Sequence, residues 1–236
     1  MTTTAPRGAA ESNLEAAALP IGLAFVAGYV DTVGFVTLFG LFTAHVTGNF
    51  VLIGATLARS SDNVTLKLVI FPAFVVAVAV TRFVVLWMER HGRQSLRPLL
   101  LLQLLLMLGF AWLGWRTAPD MGSDAAPVLW AGILGGAAMG VQNAAARLLL
   151  PAAAPSTVMT GNVTQLAIDC VDLALRKGDE ATGRRAKRYL SSIVSFTIGA
   201  MGGGFGAVFA GFGSLLVPIS VIAWLAATQG PTREPA

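Results

Sequence analysis

The sequence predicts an all-α, polytopic membrane protein made of two inverted repeats, each with about three transmembrane helices plus a short broken helix that carries Thr-Gly-Asn. Three observations predict this class. The chain of 236 residues is 55% apolar and only 12% charged, about half the charged fraction of a soluble domain. Several apolar runs reach the roughly 20 residues that cross a bilayer. Motifs of the first half also return in the second half.

The internal repeat rests on two pairs of matching motifs. Gly-Tyr-Val-Asp, which ends at Asp31, is matched 112 residues later by Gly-Val-Gln-Asn, which ends at Asn143. A Thr-Gly-Asn triplet also occurs twice, 113 residues apart: Thr47, Gly48 and Asn49, then Thr160, Gly161 and Asn162. An offset of about half the chain predicts two similar units packed together.

These repeats define a single membrane domain over residues 15–229, with repeat one at 15–116 and repeat two at 128–229. Residues 1–14 are small and polar without a basic cluster, so we expect a disordered tail and not a cleaved signal peptide. Residues 230–236 form a C-terminal tail. The domain contains eight apolar runs: 15–39, 41–58, 66–88, 98–115, 128–150, 156–175, 189–210 and 214–227.

The runs differ in ways that predict their roles. Pro20, Pro98 and Pro127 lie at or near the start of their runs, where helices tolerate proline. The runs 41–58 and 156–175 are broken by the triplets, and short glycine-interrupted segments at matching places in two halves indicate a binding site in transporters with inverted repeats.

Loop charge predicts the topology. The loops 89–97 and 176–188 are basic, whereas the loop 116–127 is acidic, so the positive-inside rule places both basic loops in the cytoplasm. They can share one side only if the two triplet-bearing runs do not cross completely. We therefore expect three crossings per repeat and both termini in the cytoplasm.

Asp31 is the most costly residue of the chain, because a carboxylate in the middle of a membrane helix costs about 2.5–3.5 kcal/mol. Its repeat mate is Asn143, and Arg147 follows one turn later on the same helix face. Asp31 and Arg147 are thus candidates for an ion pair between the repeats. The three residues either line a site or only hold helices together.

The two triplets predict half-helices that begin inside the membrane. Threonine is a good N-cap, glycine allows close backbone approach, and asparagine can cap or donate. Two helix N-termini directed to the midplane would favour a small solute, an anion or carboxylate being well suited. Alternatively, Asp31 supplies the negative partner and no ligand is involved.

Other polar residues have simpler explanations. A single histidine such as His45 is more often a local hydrogen-bonding residue than a proton carrier. Gln165, Asp169, Asp172 and Arg176 recur at spacings of 4, 3 and 4, which place them on one helix face. Asp172 and Arg176 form an i,i+4 pair, and Asp169 could belong to an access path. Arg82 could pair with Glu89 or reach the lipid headgroups.

The sequence does not lead us to expect nucleic-acid binding, a metal, a cofactor or an enzyme activity. The net charge of +4 lies mostly in two loops, so nucleic acid is not an expected partner. The single cysteine and the absence of metal-ligand spacing predict no disulfide and no metal. No nucleophile-base pair or phosphate loop indicates an enzyme, and no cofactor is expected. The pairs Gly199/Gly203 and Gly202/Gly206 favour close helix contact, so segment 199–206 is a candidate contact between two copies of the chain.

Four elements in order resemble the YoaK-like bacterial membrane proteins, a family of unknown function: Gly-Tyr-Val-Asp, His-Val-Thr-Gly-Asn, Gly-Val-Gln-Asn and Met-Thr-Gly-Asn-Val-Thr. The resemblance covers about 15–229 and implies a small polytopic protein of the bacterial cytoplasmic membrane. It implies no substrate and no site residues.

Two functions remain from the residues. The first is a small secondary transporter whose midplane site lies between the repeats. Its lining would comprise Asp31, Asn143, Arg147 and the two triplets. The second is a membrane scaffold or accessory subunit that transports nothing.

Overall fold

The computed structural model describes residues 7–58, 64–93, 95–117 and 121–229, with side chains from residue 18 onward. These residues form eight α-helices and one short 3₁₀ turn, and none of them is in a strand. The helices are α1 (Arg7–Thr37), α2 (Val46–Ala58), α3 (Val64–Arg90), α4 (Arg97–Trp115), α5 (Ala126–Leu149), α6 (Met159–Ala174), α7 (Glu180–Ala210) and, after the turn Gly211–Leu215, α8 (Leu216–Thr228). The predicted all-α class is confirmed.

Five segments are long and apolar enough to cross a membrane: Ala18–Thr37, Val64–Arg90, Arg97–Trp115, Ala126–Leu149 and Glu180–Thr228. The last segment contains the 3₁₀ turn, after which α8 returns along α1 so that Leu225 meets Gly22. Large apolar side chains are exposed on the outer faces of these helices, as contact with lipid requires. On α3 they include Phe71, Val76, Phe83 and Trp87.

Helix α1 starts at Arg7, within the segment 1–14 that we predicted as a disordered tail. Alanine, glutamate, leucine and arginine, which are strong helix formers, make up most of residues 7–19 and extend the helix. Residues 1–6 and the predicted tail 230–236 lie outside the described residues.

Helices α1 and α7 pack closely and run in the same direction. Gly199 lies against the backbone of Phe25, and one turn further along both helices Gly203 lies against the backbone of Tyr29. A Cβ at either glycine would collide with a carbonyl oxygen, so these glycines allow the contact. The contact that these two glycines allow is made within one chain; a contact between two copies through segment 199–206 stays a prediction.

Helices α3 and α5 are also parallel. Ile70 lies against Gly136, and one turn later the carbonyl of Phe74 lies against Gly140. The pairing of α3 with α5 therefore resembles that of α7 with α1.

The first glycine of each repeated motif has the same place in both pairings. Gly28 on α1 lies against the carbonyl oxygen of Phe196 on α7, and Gly140 on α5 lies against the carbonyl oxygen of Phe74 on α3. A side chain at either position would push the two helices apart. These glycines therefore have a structural role.

Helices α1 and α5 run in opposite directions. Gln142, near the end of α5, donates a hydrogen bond to the carbonyl of Leu23 (2.8 Å), near the start of the segment Ala18–Thr37 of α1 that is long enough to cross the membrane. Thr43, just beyond the end of α1, lies against Gly135 in the first half of α5. It follows from the three pairings that α1 opposes α3 and that α5 opposes α7.

Each short helix packs on the long helix that follows it, α2 on α3 and α6 on α7. The ring of Phe50, near the start of α2, lies 5.2 Å from the ring of Phe71 on α3. The neighbouring Ile70 meets Gly136 near the middle of α5. Helix α2 therefore begins level with the middle of the bundle.

Candidate functional site

A buried carboxylate holds the loop between α1 and α2, residues 38–45. Asp31 of α1 accepts hydrogen bonds from the backbone N–H groups of Ala44 (2.6 Å) and His45 (3.3 Å). The hydroxyl of Thr43 donates to the same oxygen at 3.4 Å. These donors offset the cost of a carboxylate inside a membrane protein. Asp31 thus fixes the loop that leads into the first triplet.

His45 binds the other oxygen of this carboxylate, with Nδ1 2.6 Å from Oδ2 of Asp31. Its ring packs against the rings of Phe42 and Phe196, and 36% of the side chain is exposed. The hydrogen bond with Asp31 raises the pKa of His45 above its ordinary value of 6.5, although partial burial acts in the opposite direction. The prediction that His45 forms a local hydrogen bond is confirmed.

The predicted ion pair between Asp31 and Arg147 is wrong. Because α1 and α5 are antiparallel, Asp31 and its partner Thr43 lie near Gly135. Arg147 lies twelve residues further along α5, a rise of about 18 Å. No salt bridge among the described residues includes Arg147.

Asn49 of the first triplet holds the same loop at a second point. Its Oδ1 accepts from the N–H of Phe42 (3.0 Å), and its Nδ2 donates to the carbonyl of Phe42 (2.7 Å). Helix α2 begins at Val46, so Thr47 and Gly48 lie within its first turn. Asn49 is buried, whereas Thr47 is exposed. Asn49 therefore joins the start of α2 to the middle of the loop that precedes it.

The second triplet repeats half of this arrangement. Nδ2 of Asn162 donates to the carbonyl of Pro155 (2.7 Å) and lies 3.4 Å from the hydroxyl of Ser192 on α7. Pro155 is the repeat mate of Phe42 but has no N–H. Asn162 therefore makes only one of the two bonds that Asn49 makes to its loop.

The capping role that we predicted for threonine is wrong for the second triplet. Helix α6 begins at Met159, and its N-cap residue is Val158, which makes no side-chain cap. Thr160 and Gly161 lie in the first turn of α6 and are exposed.

A neutral amide takes the place of Asp31 in the second repeat. Nδ2 of Asn143 donates to the hydroxyl of Thr157 (2.7 Å), in the loop before α6. The neighbouring Gln142 donates to the hydroxyl of Ser156 in the same loop (3.1 Å). Each repeat therefore ties its loop to the preceding long helix through the last residue of its Gly-x-x-Asp/Asn motif.

A cavity of about 330 Å³ opens beside this second loop. Arg147 in the last turn of α5 and Asn143 contribute its polar groups, together with Ser156 and Thr157 of the loop. All of its lining residues belong to the second repeat: Asn143, Ala146, Arg147, Leu150, Pro151, Ala153, Ala154, Pro155, Ser156, Thr157 and Val158. The structure thus brings Asn143 and Arg147 together but places Asp31 and the first triplet elsewhere.

The predicted polar face of α6 has one buried carboxylate. Asp169 is fully buried and pairs with Arg185 of α7 at 2.6 Å, while Gln165 donates to it at 2.8 Å. The Arg185 guanidinium lowers the pKa of Asp169 below its ordinary value. Asp169 therefore joins α6 to α7. Arg185 was not predicted as its partner, because the two residues lie 16 positions apart across a loop.

Two surface ion pairs were predicted, and one is present. Arg82 pairs with Glu89 at 3.3 Å, which is one of the two alternatives considered for it. Asp172 and Arg176 form no salt bridge within the described part of the chain. Helix α6 ends at Ala174, and Arg176 takes a positive φ of 55° that turns the chain away.

Sequence reasoning missed one polar group in the centre of the bundle. Gln103 of α4 is buried and donates to Oε1 of Gln142 at 2.7 Å, which links α4, α5 and α1. A glutamine inside a leucine-rich run was the signal that could have identified it. Among the described residues, no three His, Cys, Asp or Glu side chains come together as a metal site would require.

These features define a multi-pass integral membrane protein with polar loops held between its helices. The chain belongs to the family described as "Protein of unknown function (DUF1275)", which matches residues 19–228. It is 32% identical over 149 residues to the UPF0700 transmembrane protein YoaK of Bacillus subtilis (strain 168). That match covers 62% of this chain and 64% of the relative, which is just under two thirds of its length. No solved structure matches the chain. The resemblance to YoaK-like proteins is confirmed.

Proposed function

We propose that this protein is a small secondary transporter of the bacterial cytoplasmic membrane, not an enzyme, and that it moves a small anionic solute. The cavity beside Arg147 is the observation that carries the proposal. A guanidinium with no carboxylate partner among the described residues is available to a carboxylate or another small anion.

The other groups at this cavity suit the same ligand. The hydroxyls of Ser156 and Thr157 line it, and α6 begins two residues after Thr157. The first N–H groups of a helix favour an anion. A volume of about 330 Å³ is at the small end of the range for ligand pockets, roughly 300–1,000 Å³. The solute is therefore small.

The helix directions support two inverted repeats with three crossings each. Helices α1 and α3 are antiparallel although α2 lies between them in the chain, and α5 and α7 are antiparallel although α6 lies between them. If α2 or α6 crossed completely, the helices on either side of it would be parallel. In this topology each loop enters the membrane, and the short helix that follows it returns to the same side without crossing. This topology also brings both basic loops to one side, which we assign to the cytoplasm with both termini.

A membrane scaffold or accessory subunit is the second candidate, and a different observation favours it. Asn49 and Asn162 donate hydrogen bonds to carbonyls of their own loops, and Gln103 donates to Gln142 in the centre of the helix bundle. In a scaffold, these polar groups would only hold helices together.

Uptake of labelled anions by proteoliposomes distinguishes the two candidates. Isotopically labelled chloride, nitrate, acetate and phosphate are offered in turn to the wild type, to Arg147→Gln and to Arg82→Gln, with protein-free liposomes as the background. We expect at least one anion to be taken up at a rate that is about tenfold lower in Arg147→Gln, the effect of losing one charge-assisted hydrogen bond, and unchanged in Arg82→Gln. Uptake no faster than in protein-free liposomes for all four anions, or equal uptake by all three proteins, would contradict anion transport and favour the scaffold.

A further inference from the structure

The two loops differ in their capacity to bind a proton. In the first repeat Asp31 and His45 face each other at 2.6 Å, with the carboxylate buried and the imidazole partly exposed. Their mates in the second repeat are Asn143 and Val158, neither of which titrates. The repeat therefore places one acid-base pair at a position where the other half has a neutral bond.

We propose that the Asp31–His45 pair is a proton-binding site whose occupancy controls how firmly the loop 38–45 and helix α2 are held against α1. The proposal rests on the proposed function, because it assigns to the pair the proton that a secondary transporter would couple to its solute.

The surroundings leave this pair with few competing charges. One cation contacts the same loop: Nζ of Lys67 on α3 donates to the carbonyl of Phe39 at 3.2 Å. The segments that pack around the pair contain no other titratable residue at 46–58 of α2, 126–146 of α5 or 190–210 of α7, and α1 adds only Tyr29 between residues 18 and 37. A change in charge here is therefore caused by the pair itself.

The proton exchanges at one nitrogen of the imidazole. Nδ1 faces the carboxylate and keeps its hydrogen in both states, so Nε2 is the atom that releases the proton and takes it back. With the proton bound, the pair is neutral as a whole. After release, the site carries one negative charge that two backbone N–H groups and a hydroxyl stabilise only partly.

Release of the proton acts on α2 through the loop. Residues 43–45 bind Asp31 directly, and α2 starts at the next residue. Helix α2 packs mainly on α3 and buries only Asn49 fully. A weaker bond at His45 therefore loosens the least supported helix of the first repeat.

The first test measures the proton directly and needs no solute. In a His91→Gln background, the only remaining histidine is His45, and its ¹⁵N side-chain signals are followed against pH by NMR in detergent. We expect a midpoint above 6.5, and a decrease of about 1 pH unit or more in Asp31→Asn, because the charged partner is lost. A midpoint that is the same in both proteins would overturn the proposal.

The second test measures the movement. In a Cys170→Ser background, an environment-sensitive fluorophore is placed at Val51→Cys on α2 or, as the control in the second repeat, at Val163→Cys on α6, both of which are exposed. We expect the signal at residue 51 to change over the pH range in which His45 titrates, and to be constant in His45→Gln. The signal at residue 163 should stay constant. Equal responses at both positions, or none at residue 51, would overturn the proposal.

These readouts separate the two proposals. Anion uptake that requires Arg147, together with a fluorophore signal at residue 51 that does not change with pH, would support the transporter and overturn the proton site. A pH response at residue 51 that requires His45, without anion uptake, would support the proton site and contradict the transporter.

Discussion

The loops before α2 and α6 have the same frame and different chemistry. In both, the last residue of the Gly-x-x-Asp/Asn motif bonds the loop from one side, and the asparagine of the triplet bonds it from the other. In the first loop a carboxylate with four donors makes the bond, whereas in the second loop the amide of Asn143 binds a single hydroxyl. The first loop is therefore closed and charged, and the second is neutral.

This difference decides where open space occurs. Asp31 and Asn49 together satisfy the amides of Phe42, Ala44 and His45 in the first loop. In the second loop Pro155 has no N–H to offer, Val158 replaces the histidine, and the cavity with Arg147 opens beside them. A repeated motif can thus give a structural clamp in one half and an available pocket in the other.

The largest expected effect concerns the sides of the membrane on which the two loops lie. Single cysteines at Arg90, Asp124 and Lys177, in a Cys170→Ser background, are exposed to an impermeant thiol reagent in intact cells. Because α3 opposes α7, we expect Arg90→Cys and Lys177→Cys to be protected and Asp124→Cys to be labelled. Labelling of positions 90 and 177 from opposite sides of the membrane would refute the inverted topology. The loops before α2 and α6 would then lie on the same side.

A smaller effect is expected on the free energy of unfolding, where removing Asp31 from the first loop should cost more than removing Asn143 from the second. Asp31→Ala leaves the N–H groups of Ala44 and His45 buried without an acceptor, and we expect a loss of about 3 kcal/mol in the free energy of unfolding. Asn143→Ala removes one neutral hydrogen bond and should cost about 1 kcal/mol. Unfolding by SDS in mixed micelles, followed by tryptophan fluorescence, measures both variants. Equal losses would show that the charge of the first loop adds nothing to its stability.

The helices could be predicted from the sequence because each one depends on the length of its own apolar run and on the residues at its ends. Apolar runs of sufficient length, prolines at their starts and the offset of 112–113 residues predicted all eight helices in the correct order, with α8 as the short last run. The tail was the exception, since helix propensity in residues 7–14 extends α1 without an apolar pattern.

The partners of the site residues could not be predicted, because they depend on helix direction. We paired Asp31 with Arg147 on the basis of repeat symmetry, which places equivalent residues on equivalent faces. In an antiparallel pair of helices, equivalent residues lie at different heights, so Asp31 meets its own loop instead. His45 was considered as a local hydrogen-bonding residue, but the repeat could not identify Asp31 as its partner, since Val158 has no corresponding bond.

The smallest expected effect is the pH dependence of stability, and it belongs to the first loop alone. The folded-state pKa of His45 is raised above 6.5 by Asp31, so the pair contributes stability that is fully present below about pH 6.5 and is lost as the pH rises through the folded-state pKa. The contribution is at most about 1 kcal/mol, because water screens an imidazole that is partly exposed. Asp169 has a lowered pKa, and its contribution is lost only as the pH falls through the acid range. In Cys170→Ser protein, the melting temperature in detergent should therefore fall between pH 6 and pH 9. His45→Gln should remove this slope, whereas Asn143→Ala should lower the melting temperature equally at every pH. A slope that persists in His45→Gln would assign the pH dependence to another group and leave the first loop no different from the second in its response to protons.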